Sequence, residues 1–161
     1  MEGSNNIYRD IKRLHMTPVE RVIDILKRIE HIYKCEADVE CGIPEGKVNA
    51  GYEDLLKELP NVHGLTPKDV QYLTSLIGDK IIEAIEYRLE KINSRLNRYV
   101  DIRANYLVEE EGISYEEAKI KALSQLKETV DSYMEYYNEM KAKYGKGHLQ
   151  GDGEQGDEGN R

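Results

Sequence analysis

From Pro67 to Glu111 the chain runs without a second proline and with a single glycine, Gly78. A helix over that stretch would rise roughly 65 Å at about 1.5 Å per residue, well beyond the core of one small domain. It must therefore bend, with Gly78 the expected place, or project into solvent. Within its second half Ile82, Ile85, Leu89, Ile92, Leu96, Tyr99, Arg103 and Tyr106 alternate steps of three and four, an apolar heptad seam with one charged interruption. Gly112 is placed to end the helix, and Ser114 to Glu117 reads as a capping box that opens another. That last helix, about 115–144, carries Leu123, Leu126, Val130, Tyr133, Tyr137, Met140 and Tyr144 at the same steps. Two heptad seams joined by a few residues must lie antiparallel. The expected fold is all-α, a helical bundle with a long antiparallel coiled-coil hairpin.

The remainder reads as the base of that hairpin. Thr17-Pro18 with Glu20 is a helix start, because a capping hydroxyl precedes a proline that loses nothing at the first helical position. Val19, Val22, Leu26, Ile29 and Tyr33 follow as one stripe, and Ile7, Ile11 and Leu14 suggest a short leading helix. The period is lost from Glu36 to Gly51, where glycine, proline and asparagine supply turn chemistry, and a short helix is expected near Tyr52–Leu59. The boundaries expected are N-terminal helices over 5–35, a connector over 36–65 and the hairpin over 67–144, all in one domain of residues 1–145. Residues 146–161 are acidic and glycine-rich with one leucine, and read as a disordered tail.

Composition narrows the function classes. The 161 residues hold 23 Lys+Arg against 31 Asp+Glu, a formal net charge of -8, which disfavours a polyanionic partner such as nucleic acid or a membrane surface. The acidity is uneven. Residues 1–35 and 71–107 are slightly basic, whereas 36–70 and 108–145 are acidic. No apolar run is long enough to span a membrane and the start shows no hydrophobic signal segment, so an intracellular, cytoplasmic protein is expected. Abundant Ile, Tyr, Glu and Lys without Phe or Trp suit a thermophile or an AT-rich mobile genome, with a viral or archaeal source among the possibilities.

Four groups of residues carry candidate chemistry. Gly42 to Val48 resembles a phosphate-binding loop only superficially, with three residues between its glycines instead of four and valine after Lys47. His31, Cys35, Cys41 and His63 are zinc-ligand types, but their spacing matches no zinc signature and no metal is expected. Arg88, Lys91, Arg95 and Arg98 form a basic row beside the seam. Such a row either meets phosphates or, the preferred reading, pairs with glutamates of the facing helix such as Glu116, Glu117, Glu128 or Glu135. Tyr133, Met134, Tyr136, Tyr137, Met140 and Tyr144 cover more than one face of the last helix and form a candidate interface.

No catalytic constellation and no cofactor motif is present, so no enzyme activity and no cofactor are expected. The expected function is a non-enzymatic interaction protein: an adaptor, inhibitor or assembly subunit acting through its hairpin on a protein partner or as a homo-oligomer. The alternatives are a nucleic-acid-binding helical subunit using the basic row, and a structural protein of a virus-like or mobile-element particle.

Overall fold

The computed structural model describes residues 15–39 and 50–145. The expected leading helix, most of the 36–51 loop with Cys41 and the phosphate-loop look-alike, and the 146–161 tail lie outside the described residues. Within them the chain is all-α: α1 (Pro18–Val39), α2 (Ala50–Glu58) with a 3-10 turn at Leu59–Asn61, α3 (Pro67–Ser94), α4 (Leu96–Glu111) and α5 (Tyr115–Tyr144).

Three of these helices start on reciprocal caps. Glu20 N–H donates to Thr17 Oγ1 at 3.1 Å while Thr17 N–H donates to Glu20 Oε1 at 2.9 Å. Thr66 and Asp69 repeat the arrangement at 3.1 and 3.0 Å, and Ser114 and Glu117 at 3.2 and 3.4 Å. Each box satisfies two backbone donors that a helix start leaves orphaned. At the other end of α4, Gly112 takes a left-handed φ of 66° and its N–H donates to Val108 O at 3.0 Å, which stops the helix and lets the chain reverse.

The long helical run does break, at Arg95 and not at Gly78. Arg95 sits at φ -119°, ψ 23°, and its N–H turns back to Lys91 O and Ile92 O at 3.0 and 3.3 Å. Ser94 Oγ donates to Lys91 O at 3.1 Å, the local side-chain competition by which serine loosens a helix end. Gly78 has a different reason to be glycine. It is buried within α3, and a Cβ there would overlap the Tyr144 side chain at the end of α5. The position marks a close approach between two helices. Further along the chain, α1 continues to Val39, four residues past the expected 35, because Ala37 is fully buried and anchors an added turn.

α5 runs antiparallel to α4 and then to α3. The pairing can be followed from Lys121–Glu111 at the tip, through Arg103 Nε donating to Gln125 Oε1 at 2.7 Å, to Tyr137 donating to Glu86 at 2.8 Å and Tyr144 over Gly78. α1 and α2 pack on α3 at the base, where Leu26, Tyr52, Leu59, Leu73, Ile77, Ile81 and Ile85 are at most 2% exposed.

The distal seam differs in part from the expected one. Leu96, Tyr106 and Leu123 are 41%, 50% and 44% exposed, whereas Tyr99 and Leu126 are buried as expected and are joined by Val100, Ala104 and Leu107 on α4 and by Ala118 and Ala122 on α5. A heptad drifts by about 20° per repeat on a straight helix, and the break at Arg95 resets the phase besides. Three of these seven buried residues are alanines, which large-residue periodicity does not register.

Candidate functional site

The distal hairpin, α4 with the first half of α5, carries the larger share of the uncovered apolar side chains. Among the described residues eleven large apolar side chains are exposed, and six lie here: Leu96, Ile102, Tyr106, Tyr115, Ile120 and Leu123. Ile102 and Tyr106 are four apart and Ile120 and Leu123 three apart, so each pair shares a helix face. α4 packs principally on α5, and α1 and α2 reach only the base, so no third helix covers the tip among the described residues. The tip is held in shape by polar ties. Lys121 pairs with Glu111 at 2.6 Å, Tyr115 donates to Asp101 at 2.6 Å, and the Arg103 guanidinium lies 5.0 Å from the Tyr106 ring centre.

The basic row is largely turned to the protein's own α1. Arg88 is buried, its guanidinium 5.4 Å from the Tyr33 ring centre. Lys91 pairs with Asp38 at 2.8 Å, and Tyr87 donates to the same carboxylate at 2.7 Å. These two bonds hold the Asp38 carboxyl below its ordinary range, and the Asp38 partner raises Lys91 in return. Arg95 Nη1 donates to the carbonyls of Asp38 and Ala37 at 3.1 and 3.4 Å, placing a cation on the C-terminal end of α1, where unpaired carbonyls and the helix dipole favour one. Arg98 is exposed. The partners of Lys91 and Arg95 are therefore on α1, and not the glutamates of the facing helix that sequence spacing offered.

Most of the tyrosine-methionine group is likewise internal. Tyr133 and Met140 are buried. Tyr136 donates to Glu53 of α2, Tyr137 donates to Glu86 of α3, and Tyr144 packs on Gly78. Met134, 39% exposed, is the member left most open. Together they clamp the end of α5 to the base. His31 and Cys35 do meet, Nε2 and Sγ being 3.6 Å apart on an exposed face of α1, and His63 lies exposed beyond the 3-10 turn. Among the described residues no three His, Cys, Asp or Glu side chains gather as metal ligands.

One feature at the base escaped sequence reasoning. α1, α2 and α3 enclose an open cleft of about 380 Å³ lined by Glu30, Glu83, Glu86 and Glu90, by Lys34 and Lys80, and by the rings of Tyr33, Tyr52 and Tyr87. Lys80 bridges Glu30 at 3.2 Å and Glu83 at 3.4 Å, and Lys34 reaches Glu30 at 3.4 Å. Burial alone would raise the Glu30 carboxyl, but the Lys80 bond and the charges of Lys80 and Lys34 take it below its ordinary value. The available signal was the spacing of Glu83, Glu86 and Glu90, three, then four apart, on one face of α3. It was invisible as a site because its other walls come from α1 and α2, far earlier in the chain.

No helix among the described residues is long and apolar enough to cross a membrane. Comparison with known proteins gives no relative to lean on: no family model, no curated protein and no solved structure matches the chain.

Proposed function

We infer that this is a non-enzymatic helical interaction protein, with the distal hairpin as its contact element and a second copy of the chain as its first partner. The observation that carries the reading is the concentration of exposed Ile, Leu and Tyr side chains on a two-helix projection. A two-stranded coiled-coil hairpin hides one seam, and apolar groups outside it gain by meeting another surface. Tyrosine and large aliphatics also suit such contacts, since they combine area with few rotatable bonds. The alternative of a nucleic-acid interface has less to draw on, because Arg88 is buried and Lys91 and Arg95 are bonded to α1. Sedimentation of the chain over a hundredfold dilution tests the reading. A species heavier than the 18.6 kDa monomer that dissociates on dilution is expected. A monomer at every concentration excludes self-association, and a variant such as Ile120→Glu would then separate a different protein partner from none.

A further inference from the structure

α5 carries a second seam on a face it turns away from α4. Its buried line against α4 is made of Ala118, Ala122 and Leu126. Glu116, Ile120, Leu123 and Lys127 form another line, all four exposed, at steps of four, three and four. Those are the steps between successive seam positions of a coiled coil. Ile120, 70% exposed, and Leu123, 44% exposed, thus sit at neighbouring seam positions that the chain's own fold leaves open.

The two ends of this line are charged, with opposite signs. When two copies pair antiparallel so that Ile120 meets the partner's Leu123, Glu116 meets the partner's Lys127, because both pairs share one midpoint on the helix. The two-fold axis relating the copies repeats each contact. Two apolar layers are then closed at either end by a carboxylate against an ammonium. Parallel pairing in register stacks Glu116 on Glu116 and Lys127 on Lys127 instead, which like-charge repulsion opposes. Lys127 already meets Asp131 of its own helix at 3.0 Å, both side chains being well exposed. Such a pair in water is weak, and an ammonium has donors for a second carboxylate.

We propose that a second copy of the chain docks antiparallel along this line, α5 on α5, with Ile120 and Leu123 interleaved at the centre and Glu116 paired with the partner's Lys127 at both ends. The proposal rests on the reading of the distal hairpin as a contact element and adds the face, the direction and the register. From Glu116 to Lys127 the line is roughly 17 Å long. That places the contact at the small end of specific interfaces, so the association is a weak, reversible one.

Sedimentation equilibrium of the full chain and two charge-reversed variants tests the pairing. Glu116→Lys sets ammonium against ammonium in its own dimer and Lys127→Glu sets carboxylate against carboxylate, so each alone should raise the dissociation constant about tenfold or more. Mixed in equal amounts, the two variants should associate with each other within about threefold of the parent affinity, since both end layers then hold opposite charges. Helix content by circular dichroism should be unchanged in each, because both positions are exposed and the Ser114–Glu117 cap is untouched. Association of either variant at the parent's strength would overturn the proposal, and so would two weakened variants that fail to rescue each other. If Ile120→Glu still dissociates the chain in those cases, the contact reading of the distal hairpin stands and this pairing alone is lost. A parent chain that is monomeric throughout removes both.

Discussion

The base and the distal hairpin are built on the same antiparallel pairing and do opposite things with it. At the base α3 is enclosed by α1, α2 and α5, and its inner face is made of Leu73, Ile77, Ile81 and Ile85, all fully buried. In the distal half α4 has α5 as its main neighbour, the seam takes in Ala104, Ala118 and Ala122 beside Tyr99, Leu107 and Leu126, and several large side chains are left outside. Small seam residues let two helices approach closely but bury little area each, roughly 25 cal/mol per Å². The base therefore holds more of the buried aliphatic core, and the distal hairpin six of the eleven exposed large apolar side chains found among the described residues.

The sharpest way to break that contrast is to cut the base. Ile81→Ala should cost about 2–5 kcal/mol, since a fully buried side chain is removed from a site closed on several sides. Urea unfolding followed by circular dichroism measures it, and a loss below about 1 kcal/mol would mean the base is loosely packed.

Gly78→Ala comes next. Alanine is the better helix former by about 1 kcal/mol, so an unconstrained site would gain stability. Here the added methyl meets the root of the Tyr144 side chain, and a net loss of about 1–3 kcal/mol is expected by the same measurement. A gain would show that α5 can lift away from α3 at no cost.

These expectations rest on contacts that sequence spacing did not reveal, which sets out how much was legible beforehand. The all-α class, the caps at Thr17 and Ser114 and the turn at Gly112 were readable because each is a local decision within a few residues. The hinge was misplaced because glycine is ambiguous within a helix: Gly78 serves packing, while the break at Arg95 depends on carbonyls of α1 more than fifty residues away. The basic row and the tyrosines were legible as patterns, but their partners, Asp38, Glu53 and Glu86, lie on other helices. The alanine seam was missed because alanine marks a core only when the facing helix is known.

Acid should probe the joint between the two regions. Asp38 is depressed by its bonds to Lys91 and Tyr87, so the stabilisation from this group is present above the unfolded value near 3.8 and is lost as pH falls through the lower folded value. Hydrogen exchange at the C-terminal turn of α1 should accelerate below about pH 4 before the base core opens, and Asp38→Asn should abolish that acceleration. Lys91, raised by the same pair, contributes below the unfolded lysine value and loses its part only as pH rises through the higher folded value.

The smallest effect is expected at Tyr99, which is fully buried with a hydroxyl that has no hydrogen-bond partner among the described residues. Tyr99→Phe should be neutral or stabilising by up to about 1 kcal/mol, because it removes a desolvated polar group and keeps the ring. A loss of 1 kcal/mol or more in thermal unfolding would show that the hydroxyl is satisfied.

The proposed division of labour is tested most directly by placing the same charge on each region's exposed surface. Ile120 on the distal hairpin and Ile32 on α1 at the base are 70% and 56% exposed, so replacing either with Glu should alter stability by no more than about 0.5 kcal/mol. Sedimentation equilibrium of Ile120→Glu should give the 18.6 kDa monomer at concentrations where the parent chain and Ile32→Glu are both associated. Dissociation by Ile32→Glu with Ile120→Glu still associated would place the contact surface at the base and contradict the account.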